Sequence, residues 1–139
     1  MGITEDFKMV IVVDYALTVG IQCNTAAVLS LSLGEKIKGL IGPDLKDKSN
    51  TNHIGLTQDP LPILKASDTQ IREIYNDALN NKSLLVIDIT DAAQTTKNYK
   101  DYEEKLSDKS TEELKLLGIA LAGPNKLVGK LTGNLALLK

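Results

Sequence analysis

The 139-residue chain contains one cysteine, Cys23, one histidine, His53, and no tryptophan. A lone thiol cannot close an intrachain disulfide, and a lone thiol with a lone imidazole cannot complete a zinc cage. We therefore expect no metal and no cofactor. Of the 16 cationic side chains only Arg72 is an arginine, so the planar fork that reads phosphates and base edges is nearly missing. Phe7, Tyr15, Tyr75, Tyr99 and Tyr102 are the only aromatic residues, too few and too scattered for a base-stacking surface. With a net charge of −2 no basic field projects into solvent, which argues against nucleic acid as a partner. The longest apolar run, Met9 to Val13, is far short of the roughly 18 residues of a membrane span. Met1 to Lys8 includes Glu5, Asp6 and Lys8 instead of the cationic start and apolar stretch of a secretory signal. A cytoplasmic protein without membrane association is expected.

What is present is the composition of a globule: 42% apolar and 24% charged residues, enough to build a core without covalent staples. Met9-Val10-Ile11-Val12-Val13 reads as a central strand covered on both faces. Leu17 to Gly20 reads as a loop, followed by a helix from Ala26 to Lys36 capped by Asn24 or Thr25. Gly39 to Pro60 is rich in turn formers and lacks hydrophobic period; loops longer than about 12–15 residues are more often functional than mere connectors. Pro60 to Leu64 predicts an edge strand. Ser67 or Asp68 caps a helix through Ile71, Ile74, Tyr75 and Ala78. Ser83 to Ile89 is a second apolar strand, Thr90 to Thr96 a polar turn, and Tyr99 to Leu106 a charged helix. Leu116 to Ala122 is a third strand, Pro124 to Leu131 a short helix, and Leu135 to Leu138 a closing apolar segment. The alternation predicts an α/β fold: one three-layer domain over residues 1–139, its mixed sheet of about four strands flanked by helices. Residues 1–7 are expected to form a loose N-terminal segment.

Two stretches carry a specific likeness. Leu117-Gly118-Ile119-Ala120-Leu121-Ala122-Gly123-Pro124, followed by Lys130-Leu131-Thr132-Gly133-Asn134-Leu135, resembles the closing strand, Gly-Pro turn and Thr-Gly-x-Leu end of bacterial-type-2 peptidyl-tRNA hydrolases. Lys8 to Val13 with Leu17, Gly20 and Ala26-Ala27 resembles that family's opening, and Asp91-Ala92-Ala93-Gln94-Thr95 its Asp-Ala-Gly-Arg-Thr segment. Residues 8–139 together, including Leu40-Ile41-Gly42-Pro43-Asp44, Ile63-Leu64-Lys65-Ala66 and the pair Tyr99 and Tyr102, resemble an uncharacterised bacterial family known as domain of unknown function two-thousand. The resemblance implies the peptidyl-tRNA hydrolase II-like fold and a homodimer, and it leaves a tRNA-like substrate open beside a small-molecule ligand. The hydrolases carry a Gly-Lys-Gly-Lys loop after the first strand, whereas Ile21 and Cys23 stand at the lysine positions here, and their threonine falls near Gly118. A lysine there supplies charge for a phosphate or a developing oxyanion; isoleucine supplies neither.

Several side chains are candidates for chemistry. Cys23 just before a helix could be a nucleophile with His53 as base, or simply a small buried apolar group. Asp14 and Asp91 follow strands at the end where α/β sheets form crevices; either could be a general base, or a cap or turn residue. Asn24, with Gln22 and Thr25 beside it and Gly20 before it, could hold an anion or a carboxylate at a helix start, or serve as a plain N-cap. His53 on a polar loop could complete the same site or be merely exposed. The favoured reading is a protein binding a small ligand in a crevice made by Leu17–Thr25, Asp44–Asp59 and Thr90–Thr96. The alternative is a hydrolase acting on a peptidyl-tRNA-like or other ester or amide, using Asp91, Asn24 and Cys23. A third is a chain acting only through a partner surface.

Overall fold

A computed structural model describes residues 6–139. The chain order is β1 (Phe7–Asp14), α1 (Val19–Lys36), β2 (Leu45–Lys46), β3 (Asn52–His53), β4 (Ile63–Ala66), α2 (Asp68–Leu79), β5 (Leu85–Thr90), α3 (Asp91–Gln94), α4 (Tyr99–Ser107), β6 (Leu116–Pro124) and α5 (Asn125–Thr132). The expected loose segment, residues 1–7, lies mostly outside the described residues. Phe7 already opens β1, and the Asn125 amide donates to the Asp6 carbonyl at 2.8 Å.

The main sheet has four strands in the order β4-β1-β6-β5, with β4 parallel to β1 and β6 antiparallel to both β1 and β5. This is a mixed α/β architecture. β1 carries the β-branched run Val10 to Val13 because both of its faces are covered there. Met9, Ile11 and Val13 pack with Leu29 and Leu33 of α1, while Val10 and Val12 pack with Ile71 and Ala78 of α2 and Val128 of α5. Each such side chain removed from water contributes about 1.5–3 kcal/mol, so two cores clamp one sheet. α2 begins as expected at Ser67, in a capping box with Gln70, an arrangement worth about 1 kcal/mol.

β4 begins later than the expected Pro60, because Pro60 and Pro62 have no N–H to give a ladder; the Pro62 carbonyl instead accepts from the Ile11 amide at 3.0 Å. The outer edge of β4 is taken by the C-terminal segment. Lys65 N–H donates to the Ala136 carbonyl and Leu138 N–H to the Ile63 carbonyl, both at 2.9 Å. β5, at the other side of the sheet, has no such cover.

Two elements differ from expectation. α1 begins at Val19, not Ala26, and its cap is Thr18, which makes no side-chain cap bond. Ile21, Thr25, Leu29 and Leu33 lie on one helical face against the sheet, and that packing extends the helix back through Gly20, Cys23, Asn24 and Thr25 despite their weak propensities. The excursion after Gly39 is an arm rather than an open loop. β2 and β3 pair antiparallel, Leu45 beside His53. The Asp47 carboxylate accepts from Ser49 N–H at 2.8 Å and Thr51 N–H at 3.1 Å, and Asp44 accepts from Gly55 N–H at 2.9 Å. Gly55 has to be glycine, since a Cβ there would stand 1.9 Å from the Gly42 carbonyl oxygen.

Candidate functional site

The registers place Asp14 beside Ala66, and both Val13 and Ile89 beside Gly118. The ends of β1, β4 and β5 and the start of β6 therefore share one end of the sheet, where α1 begins and α3 lies. At that end the sequence-predicted residues separate into distinct roles. Asp91 opens α3, and its Oδ1 accepts from Lys115 N–H at 3.2 Å while its own N–H donates to the Lys115 carbonyl at 3.0 Å. The reciprocal pair ties the end of β5 to the start of β6, and one lone-pair set of the expected base is committed to backbone. Asn24 is not a cap: from within α1 its Oδ1 accepts from Gln94 Nε2 at 3.1 Å, joining the helix to the Thr90–Thr96 turn. Gln22 likewise reaches back, donating to the Asp14 carbonyl at 3.3 Å.

Thr25 is turned the other way. It is 0% exposed, its Oγ1 has no partner, and its methyl abuts Gly118 of β6. It faces the sheet and not a crevice, because α1 starts about two turns earlier than its polar residues suggested. Gly20 lies exposed in the first turn of α1 with open space around it. Cys23 is exposed, contrary to its reading as a small buried group. Asp14 is 2% exposed, its Oδ1 taken by Ala16 N–H at 2.9 Å. His53 belongs to the arm: its Nε2 is 2.8 Å from Asp47 Oδ2, and the hollow it helps to line is built from residues 42–58 alone. No hydrogen bond joins it to Cys23, and its Nε2 is engaged with Asp47, so the two do not form the expected nucleophile and base. Among the described residues, no three His, Cys, Asp or Glu side chains are grouped to hold a metal ion, and no helix is long and apolar enough to cross a membrane.

A cleft of about 440 Å³ opens beside this end of the sheet, between α1, β5 and the α3–α4 segment. Val28, Ile87, Ile89 and Ala93 supply an apolar floor, and Ser32, Thr96, Lys97, Asn98, Tyr99 and Tyr102 a polar and aromatic rim. The expected Thr90–Thr96 turn contributes Ala93 and Thr96, but the Asp44–Asp59 loop contributes nothing. Tyr99 and Tyr102 meet edge to face with ring centroids 5.5 Å apart, a favoured aromatic geometry. On the far side of the strand, Tyr75 Oη donates to Asp88 Oδ1 at 3.1 Å. Burial and then the Asp88 charge push the Tyr75 phenol up to about 12, and the same two causes raise Tyr102. A larger hollow of about 540 Å³ between α2 and α5 has Ile74, Leu131 and Leu135 in its wall, but the charges of Glu73, Asp77 and Lys130 and the polar Gln70 and Asn134 make its lining the more polar of the two. The cleft beside β5 is the better match to ligand sites, which combine a mostly apolar lining with a few convergent polar groups. Tyr99, Tyr102, Val28 and Ser32 were not among the candidate site residues of the sequence, although the Tyr99–Tyr102 pair belongs to the family resemblance; the available signal was an i, i+3 tyrosine pair on an otherwise charged helix.

The chain belongs to the family described as protein of unknown function (DUF2000), whose model matches residues 7–139. A solved structure of a protein of unknown function, Atu0240 from Agrobacterium tumefaciens strain C58, is similar with a TM-score of 0.87 and 20% sequence identity, covering 96% of this chain and 98% of that one. At that identity the likeness speaks for the fold. No curated protein matches the chain.

Proposed function

We propose that this chain is a binding protein that holds a small ligand in the cleft between α1, β5 and the α3–α4 segment, without turning it over. The observation that carries the reading is the lining itself: core isoleucines and Ala93 below, hydroxyl, amide and ammonium groups of Ser32, Thr96, Asn98 and Lys97 above. Its volume, about 440 Å³, falls within the roughly 300–1,000 Å³ of small-molecule sites. The cleft adjoins the first strand–helix junction through the Asn24–Gln94 bond.

The same proposal keeps the peptidyl-tRNA hydrolase II-like fold, on the terminal and Asp-Ala segments that resemble it, with hydrolysis lost. The threonine of the hydrolases falls near Gly118 in this chain, and the space beside Gly118 is filled by the Thr25 methyl. Ile21, at a hydrolase lysine position, packs against the core. Asp91 is clamped to Lys115 backbone. These features favour binding over cleavage.

The test is a thermal-shift screen of small metabolites, followed by mapping of hits with Ser32→Trp, which fills the mouth of the cleft. A ligand at a hundred times its Kd adds about 2.7 kcal/mol, or roughly 8–10 °C for a domain of this size. The expected result is a shift in the wild type that Ser32→Trp abolishes; hits unaffected by that substitution refute the site. Turnover of a peptidyl-tRNA or an N-blocked aminoacyl ester that disappears in Asp91→Ala would overturn the non-catalytic reading.

A further inference from the structure

Successive side chains of a strand point to opposite faces, so three consecutive residues line one cleft only where the cleft follows the strand's edge. Ile87, Asp88 and Ile89 all line the cleft beside β5. Ile87 and Ile89 join the core on the α1 side, while Asp88 faces Tyr75 of α2. β5 is an outer strand of the sheet. Among the described residues, no backbone group of residues 85–89 makes a hydrogen bond outside the sheet. The opposite edge, at β4, is closed by the C-terminal segment; this one is open, walled by α1 and Tyr102, and long enough at six residues to pair with about 20 Å of extended chain.

We propose that the ligand of this cleft is an extended peptide segment that adds as a fifth strand along β5, with a basic residue beside Asp88 flanked by apolar residues directed toward Val28, Ile87 and Ile89. Main-chain hydrogen bonds supply affinity in strand addition and alternate side chains supply specificity. The single charge on the pairing line is the Asp88 carboxylate, and opposite charges across paired strands are favourable where like charges are not. A second copy of the chain is the poorer occupant. β5 reads Leu-Val-Ile-Asp-Ile-Thr, so edge-to-edge pairing of two copies offers Asp88 no cation in any register, and a charge on an edge strand opposes self-pairing. Lys97, the other charged group on the rim, sits on the α3–α4 segment and not on the strand.

This inference rests on the cleft being the ligand site. The probe is the fluorescein-labelled, end-blocked heptapeptide Ser-Val-Ile-Lys-Ile-Thr-Ser, compared by anisotropy with the same peptide carrying Glu in place of Lys. The Lys peptide should bind wild type at least tenfold more tightly than the Glu peptide. Asp88→Lys should reverse the order, and Asp88→Asn, which keeps an acceptor for Tyr75, should narrow the difference to less than threefold. N-methylation of single amides should abolish binding at alternate positions and leave the intervening ones within threefold. Equal binding of the two peptides, indifference to N-methylation, or no binding of the Lys peptide up to about 1 mM overturns the proposal. Small-molecule hits that Ser32→Trp abolishes, together with a peptide that does not bind, sink the peptide inference alone. Hits that Ser32→Trp leaves untouched sink the cleft reading and this inference with it.

Discussion

Replacing Gly118 by alanine probes how closely α1 lies on the sheet at the end where the candidate site forms. A Cβ at this position would stand 2.6 Å from Thr25 Cγ2, 2.9 Å from the Val12 carbonyl oxygen and 3.4 Å from Leu29 Cδ1. The carbonyl belongs to the central strand, paired on both sides, so it cannot retreat. Thr25 is carried on an 18-residue helix held by Leu29 and Leu33. Overpacking of this kind costs about 1–3 kcal/mol, and the backbone contact puts it at the upper end. The smaller unfolded-state entropy of alanine returns about 0.4–1 kcal/mol, leaving a net loss near 2 kcal/mol. The assay is urea unfolding followed by far-ultraviolet circular dichroism; at a slope of about 2 kcal/mol/M the midpoint should fall by about 1 M. Thr25→Ser removes the methyl and keeps the hydroxyl, so in the double variant about 1 kcal/mol of the loss should return, the Val12 clash persisting. A Gly118→Ala variant within about 0.5 kcal/mol of wild type, or strict additivity with Thr25→Ser, would refute the packing argument.

The Tyr75 phenol, raised from 10.0 to about 12 by burial and then by Asp88, binds its proton more tightly folded than unfolded, so stability is intact below pH 10 and declines between about pH 10 and 12. That shift is worth at most about 2.7 kcal/mol, and about 1 kcal/mol after solvent screening of a half-buried ring; thermal unfolding from pH 8 to 11.5 should show a shallower alkaline decline in Tyr75→Phe than in wild type. The Gly55 amide and then the Asn52 side chain hold the Asp44 carboxyl below its usual 3.8, and His53 foremost does the same for Asp47; the arm should therefore be closed above pH 4 and loosen as the pH falls through those depressed values, seen as faster hydrogen exchange of Gly55 N–H, with equal protection at pH 5 and 2.5 counting against it. Finally, Ile54 is 72% and Leu56 80% exposed on the arm, apolar surface that a second copy would cover; a homodimer is expected by light scattering at micromolar concentration and a monomer for Leu56→Asp, whereas a monomeric wild type contradicts the expectation.

The strands and helices legible in the sequence are those whose residues meet a core along their whole length. The Met9–Val13 stretch of β1 and Leu116–Ala122 of β6 are uninterrupted apolar runs because both faces are buried, β5 is apolar but for Asp88 and Thr90, and α2 shows Ile71, Ile74 and Ala78 at helical spacing because one face is buried. The arm could not be read this way. Its strands are two residues each, Leu45–Lys46 and Asn52–His53, too short to display a period, and its order comes from Asp44 and Asp47 accepting backbone N–H groups across the turn. Asx-type turn residues signal a turn equally well in an open loop and in a closed hairpin.

The misplacement of the site has one physical origin, the start of α1. Asn24 and Thr25 are strong cap residues, and reading them as caps places Gly20, Gln22 and Cys23 on a loop around a crevice. Ile21 and Thr25 decide otherwise: the partial burial of Ile21 and the full burial of Thr25 against the sheet, in line with Leu29 and Leu33, reward helix through the polar stretch by more than the few tenths of a kcal/mol per residue that propensity withholds. Once α1 runs from Val19, Thr25 must face Gly118, and Asn24, one residue earlier, points toward Gln94 instead of capping a helix. The space that the expected loop would have enclosed is filled by helix, and the cleft lies farther along α1, at Val28 and Ser32, where the helix passes the uncovered edge of β5. An open strand edge depends on strand order, and order is a long-range property that no local window of sequence contains; this is why Asp88, plain within its strand, acquires its meaning only from the sheet.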